Sequence, residues 1–314
     1  MKNCYTVISD FERQLSNQAV VGNDMKTGLV LEGGAMRGMY TAGVLDVFME
    51  QGIAFDGVIG VSAGALFGVN LLSKQAGRVI RYNKRFNADP NYLGLRPLFR
   101  TGNIVDTEYA YNRVPRTLDV FDDETYRASD VPFYAVVTNV ETGEAEYIKI
   151  DSVFDQMDVL RASGSMPFVS KPVEINGKKY LDGAITDSIP FEKFMDMGYD
   201  RLMVVLTKPA GYVKKAMPKL LTRLAYARSY PEFAKKVRDR HEMYNASTAR
   251  LIELEREGKV LVLRPSQHVK ISRVEKDPEK LQALYDVGIK DAQERSDQIR
   301  QFLSGTLTYP GDVT

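Results

Sequence analysis

Gly60-Val61-Ser62-Ala63-Gly64 has the Gly-x-Ser-x-Gly form in which a serine is presented as a nucleophile on a sharp strand-to-helix turn. The logic is steric. Glycines two residues either side, here Gly60 and Gly64, let neighbouring backbone approach where a Cβ would collide. A serine held this way faces the N-terminus of the next helix, whose free N–H groups favour a developing negative charge. The competing reading is a Gly/Ser-rich turn without chemistry, so flanking elements and partner residues have to decide.

A second Gly-rich loop, Glu32-Gly33-Gly34-Ala35-Met36-Arg37-Gly38, lies upstream. A Walker phosphate loop needs Lys then Ser/Thr after its last glycine, and Met39-Tyr40 follow here. A dinucleotide fingerprint ending at Gly38 needs glycine where Ala35 stands. What remains is a plain tight loop or an oxyanion hole, in which successive backbone N–H groups of Gly34, Ala35 and their neighbours converge on one oxygen. The usual base beside such a serine is histidine, but the chain has two, His241 and His268, both in its C-terminal part. Tyr180-Leu181-Asp182-Gly183-Ala184 offers another: an aspartate delivered by an apolar run, with Gly183 turning the chain. A carboxylate is a weak base in water, but in an apolar pocket beside a serine hydroxyl it accepts a proton. Alone, Asp-Gly-Ala reads as a turn.

The elements that must carry these residues read as a parallel α/β opening. Gly28–Leu31 is a buried strand feeding the first loop, Tyr40–Gln51 a helix closed by Gly52, Phe55–Val61 a second strand and Ala63–Ser73 a second helix. Further strands are expected at 131–139, 144–150 and 201–206, with a hairpin over 173–181 and a helix over 153–162. Residues 86–116, rich in Pro, Gly, Asn and Tyr, read as a long irregular insertion near the site; Tyr92, Tyr109 and Tyr111, with Tyr82 just before it, are candidates either to line an acyl pocket or only to pack the insertion. The division is a lead-in over 1–27, a sheet domain over 28–206, and a mainly helical accessory region over 207–314. The latter holds helices near 216–228 and 231–257, a short strand at 260–263 and a helix pair over 278–303. From Gly211 to Arg240 nine Lys/Arg face two Asp/Glu, interleaved with Leu220, Leu221, Leu224 and Phe233. That stretch suits either an anionic lipid surface or a solvated helix packing its apolar side on the sheet.

Composition excludes several classes. Hydrophobic residues at 44% and charged residues at 26% over 314 residues are an ordinary globular balance. A formal net charge of +1 gives no basic excess for nucleic acid. One cysteine, Cys4, leaves no disulfide framework, and so few Cys and His give no expected metal site. The N-terminal residues lack a secretory pattern and no apolar run is long enough to span a bilayer, so the expected compartment is the cytoplasm, with contact at a membrane surface left open.

Together, the Glu-Gly-Gly-x-x-Arg-Gly loop, the elbow some two dozen residues later and the distant Asp182-Gly183-Ala184 resemble the patatin-like phospholipases. Ala162-Ser163-Gly164-Ser165-Met166-Pro167 and Ile189-Pro190 add to the likeness, which covers about residues 28–206. The family loop often has a third consecutive glycine where this chain has Ala35. The resemblance implies a three-layer α/β/α fold and a Ser–Asp dyad without cofactor. Ser62 is then nucleophile and Asp182 base. Gly33, Gly34 and Ala35 supply oxyanion donors, and Arg37 orients the loop or meets an anionic substrate group. The implied activity is hydrolysis of lipid acyl esters through an acyl-enzyme. Its rivals are acyl transfer by the same dyad and non-catalytic lipid binding.

Overall fold

The structure is a computed structural model that describes residues 25–307. The expected lead-in, with Cys4, falls almost wholly in residues 1–24, outside the described residues.

A mixed sheet in the order β5-β6-β3-β2-β1-β7-β8, with β4 also paired to β3, forms the middle layer. Its centre is parallel: β1 (Thr27–Leu31) lies between β2 (Gly57–Val61) and β7 (Arg201–Val205), while β3 (Phe133–Asn139) continues from β2. The antiparallel strands β4 (Ala145–Lys149), β6 (Lys178–Asp182) and β5 (Val173–Ile175) close one side. β8 (Val260–Leu263) closes the other in parallel with β7. All of β1 and β2 is buried, which is why they read as continuous apolar runs rather than alternating ones.

Both faces carry helices. Leu29, Leu31, Met203, Val205, Leu261 and Leu263 point into one core, shared with α1 (Met39–Glu50), α2 (Ala63–Leu72), α3 (Arg78–Phe86) and α7 (Met157–Ser163). The same core takes in α11 (Pro278–Glu294) and α12 (Ser296–Ser304). Val30, Ile59, Val61, Val204 and Val262 point the other way, onto α8 (Phe191–Asp196) and α10 (Pro231–Arg256). Period-two alternation of one strand thus feeds two cores, as a three-layer α/β/α fold requires.

The residues after 206 are built into these layers, supplying the edge strand β8 and part of both helical faces. α11 crosses α1 at glycine contacts: a Cβ at Gly43 would stand 2.2 Å from the Tyr285 carbonyl oxygen, and one at Gly288 2.2 Å from that of Tyr40. The Tyr285 hydroxyl seals the crossing by donating to Asp46 Oδ2 at 2.7 Å.

The expected irregular insertion over 86–116 is more regular than its composition suggests. It holds α4 (Leu95–Thr101) and most of α5 (Tyr109–Leu118), a helix of wide π geometry that carries Pro115. Proline lowers any helical reading of sequence, yet a wide turn accommodates its missing N–H. Short helices α3, α6 (Asp123–Arg127) and α8 carry no signal that the sequence reading used. In the basic stretch, α9 (Lys219–Tyr226) leaves Leu220 and Leu224 exposed, whereas α10 buries Phe233, Val237 and Tyr244 against the sheet. Among the described residues no helix is long and apolar enough to cross a membrane.

Candidate active site

Ser62 follows β2 directly and caps the N-terminus of α2 with φ 54° and ψ −120°. A non-glycine residue in that region costs about 1–3 kcal/mol and persists only where its surroundings enforce it. Those surroundings are visible. A Cβ at Gly60 would stand 2.5 Å from the Gly64 carbonyl oxygen, and one at Gly64 2.4 Å from that of Leu31. The Ser62 N–H donates to Ser163 Oγ at 2.9 Å, and Ser163 Oγ in turn donates to the Val136 carbonyl at 2.7 Å. The elbow is therefore pinned to β3 through a buried hydroxyl from α7.

Asp182 ends β6 and meets Ser62 from the antiparallel side of the sheet. Ser62 Oγ donates to Asp182 Oδ2 at 2.9 Å, and the Ala184 N–H donates to Oδ1 at 2.9 Å. The backbone of Asp182 is held at both ends, its N–H by the Ser165 carbonyl and its carbonyl by the Thr138 hydroxyl. Gly183 is obligatory, since a Cβ there would lie 2.2 Å from the Val136 carbonyl oxygen. Burial raises the Asp182 pKa above the ordinary aspartate value, against the opposing pull of Arg240 and of the hydrogen bonds from Ala184 and Ser62. This shift makes the carboxylate a better proton acceptor than one in water.

The first Gly-rich loop lies beside Ser62. A Cβ at Gly33 would touch Ser62 Cβ at 3.0 Å, and one at Gly34 would meet Thr207 Oγ1 at 2.6 Å. Ala35 adopts φ 49°, the left-handed region that a glycine would occupy more cheaply. Among the described residues, the N–H groups of Gly33, Gly34 and Ala35 have no hydrogen-bond partner in the protein, whereas the next two amides donate to Arg273 and Gly34 carbonyls. The loop is braced by Glu32. This buried carboxylate accepts from the backbone N–H and hydroxyl of Thr207 and, at 2.8 Å, from the Tyr244 hydroxyl.

Two cavities meet at Ser62. One is walled by Leu66, Phe67, Val114, Leu160 and other apolar groups, with the π turn of α5 along one side. Tyr82, Tyr92 and Tyr111 line it as expected. Tyr109 instead packs edge-on against Tyr92 and bonds Asp89. The other is polar and holds Glu32, Asp182, Arg37, Lys208, Lys214, Arg240 and Arg273. Ser62, Ala35, Met166 and Arg273 border both.

A model of the patatin-like phospholipase family matches residues 29–195, more than half of the chain. The chain belongs to that family. A second model, described as a domain of unknown function (DUF6363), matches residues 230–304. The uncharacterized protein YjjU of Escherichia coli is 31% identical over 59% of this chain and 53% of its own length. The lysophospholipase NTE1 of Saccharomyces cerevisiae is 29% identical over 62% of this chain and 11% of its own. The chain thus spans about half of the first relative and a small part of the second. A solved structure, VipD from Legionella pneumophila, aligns at a TM-score of 0.44 and 15% identity, over 87% of this chain and 67% of that one.

Within this patatin-like frame, the structure brings Ser62, Asp182, Gly33, Gly34 and Ala35 together and leaves both histidines out. His241 lies on α10 with Nδ1 against the Arg238 carbonyl, His268 is exposed in a loop, and neither lines either cavity. Arg37 faces the polar cavity, with burial and Arg273 lowering its pKa from the ordinary guanidinium value. Sequence reasoning missed the Ser163 hydroxyl under Ser62, the Glu32–Thr207–Tyr244 brace, and the cations supplied from beyond residue 206. Ser163 carried a signal as part of the quoted Ala162–Pro167 stretch, Glu32 as part of the Gly-rich loop, and Lys214 and Arg240 only as members of the basic stretch.

Proposed function

We propose that this chain is a serine acyl hydrolase of lipid esters working through a Ser62–Asp182 dyad. The observation that carries the reading is the 2.9 Å hydrogen bond from Ser62 Oγ to a buried aspartate, with no imidazole nearby among the described residues. Ser62 Oγ attacks the ester carbonyl carbon as its proton passes to Asp182 Oδ2. The tetrahedral oxyanion is received by free N–H groups of the Gly33–Ala35 loop, assisted by the N-terminus of α2. Collapse expels the alcohol, which takes the proton from Asp182, and leaves an acyl-Ser62 ester. Water then attacks that ester, giving its proton to Asp182, and Ser62 leaves as the hydroxyl while the fatty acid departs.

The apolar cavity suits an acyl chain, and the polar one receives the alcohol portion. The yeast relative's description as a lysophospholipase favours a lipid substrate with a single chain. The test is labelling by a fluorophosphonate with mass-spectrometric mapping, paired with Ser62→Ala. Label on Ser62, and loss of p-nitrophenyl butyrate hydrolysis by a folded Ser62→Ala, are expected. Label elsewhere, or near-normal turnover by that variant, overturns the reading.

A further inference from the structure

The polar cavity holds more positive charge than the dyad chemistry uses. Arg37, Lys208, Lys214, Arg240 and Arg273 line it against two carboxylates, Glu32 and Asp182. Both carboxylates are already engaged, Glu32 by Thr207 and Tyr244, Asp182 by Ser62 and Ala184. Among the described residues none of the five cations makes an ion pair with a carboxylate. Arg240 Nε is buried without any hydrogen-bond partner, and Lys214 Nζ has only the face of the Tyr244 ring, 4.5 Å from its centroid. Lys208 Nζ donates to Thr207 Oγ1 at 3.1 Å. A half-buried guanidinium whose Nε is sealed off without a partner, beside further cations, is costly unless an anion completes it.

The cost is visible in the lysines. Burial first, then Arg240 and Lys208, push the Lys214 pKa down to about 7. Burial, opposed by Glu32 and reinforced by Arg37 and Arg240, takes Lys208 down to about 8. An arriving anion reverses both effects.

We propose that this cavity is a headgroup subsite for a phosphomonoester, so that the substrate is an acyl ester whose alcohol ends in a dianionic phosphate. This rests on the Ser62 reading, because the cavity borders the same serine as the acyl cavity. Three features select that chemistry. Guanidinium forks and ammonium points match the three acceptor oxygens of a phosphate. A phosphomonoester carries about −1.5 to −2 charges near neutral pH and so offsets most of the excess of these five cations over the two carboxylates. A zwitterionic headgroup would instead place its own ammonium among five like charges, which disfavours it. Four of the five cations, Lys208, Lys214, Arg240 and Arg273, come from residues beyond the patatin match, and Arg240 and Arg273 lie in the domain of unknown function. That C-terminal region thereby determines the substrate's headgroup.

The test uses the full chain with 1-oleoyl-glycerol 3-phosphate, 1-oleoyl-glycero-3-phosphocholine and p-nitrophenyl butyrate. The phosphomonoester should exceed the phosphocholine ester by at least about tenfold in kcat/KM, and Lys214→Gln or Arg240→Gln should each lower that ratio at least about fivefold. A second arm titrates folded Ser62→Ala calorimetrically with both lipids below their aggregation limits and with inorganic phosphate. Tighter binding of the phosphomonoester lipid than of the other two supports the subsite. Equal kcat/KM for the two lipids, a ratio unmoved by both variants, or inorganic phosphate binding as tightly as the lipid overturns it, the last marking a site for free phosphate. Turnover of p-nitrophenyl butyrate reports on the dyad alone. Its absence counts against the Ser62 reading, and the binding arm still decides the subsite.

Discussion

The two cavities that flank Ser62 are built from different material and from different parts of the chain. The apolar one is lined mainly by residues between Ala35 and Met166, on α2, α3, α5 and α7. The polar one takes its loop from residues 32–37, its aspartate from position 182, and most of its cations from residues 208–273. The chemical centre thus sits where an apolar wall meets a charged one. In the proposed reaction the bond-making groups Ser62 and Asp182 sit at strand ends of the sheet, whereas recognition of an ester's two halves would be divided between distant segments.

The strongest way to break that picture is to remove the proton acceptor beside the serine that the walls share. Asp182→Asn keeps size and hydrogen bonding but cannot take the Ser62 proton, so p-nitrophenyl butyrate hydrolysis should fall by about 10²–10⁴. Asp187 is the matched control. Its carboxyl lies beyond the turn, accepts from the Tyr147 hydroxyl at 2.9 Å, and is pushed up to about 6 by burial. Asp187→Asn should be mild, and a reversed result would remove the dyad even with Ser62 confirmed.

Filling the apolar cavity sharpens the comparison from the other side. Ala110→Phe on α5 should lower kcat/KM for a dodecanoyl ester at least about tenfold relative to a butanoyl ester, read by competition between the two chain lengths. An unchanged ratio would place the acyl chain elsewhere.

The walls should also respond oppositely to pH. As the proposed base, Asp182 would work only as carboxylate, and its pKa is raised, so hydrolysis of a neutral ester should rise with pH through a midpoint above the ordinary aspartate value. Lys214 faces Arg240 and Tyr244 of α10, Lys208, Glu32 and Arg273, and loses its proton near pH 7 when the cavity is empty. Between pH 7 and 9 the KM for a phosphomonoester ester should therefore rise while the neutral ester's rate does not fall. Parallel profiles for both substrates would count against the cationic wall.

The smallest effect expected is from the histidines. His241→Gln with His268→Gln should keep turnover within about tenfold, at most ~1.4 kcal/mol of transition-state stabilisation. A thousandfold loss in a folded protein would restore an imidazole to the mechanism.

The legible parts of this molecule are those whose physics is local. β1, β2 and β7 show as apolar runs because both their faces are covered. The elbow shows because Gly60 and Gly64 are required by contacts within a few residues or with the adjacent strand. Ala35 reads as a departure from a glycine pattern, and its positive φ gives the physical meaning of that departure. What stayed hidden is assembled across long separations. The charge count over 211–240 suggested a face for lipid or solvent, but could not tell that Lys214 and Arg240 turn into a cavity with Arg37 and Arg273. The π turn of α5 was masked by Pro115, and the Ser163 hydroxyl is one serine among several until its neighbours are known.

The position of β1 at the centre of the sheet has a consequence for how the protein comes into being. Thr27 registers against Arg201, and Leu202 against Val260, so β1 can pair early with β2 but waits for its other neighbour until residues 201–205 have been made. The Glu32 N–H, which anchors the donor loop, bonds the Val205 carbonyl at 3.0 Å. Such long-range parallel pairings are slow to form and leave apolar strands uncovered meanwhile. The serine elbow can assemble against β3 while the loop that faces it is still unfixed. The loop at residues 33–35 is therefore made before Ser62 but gains its anchor only once residue 205 has been added.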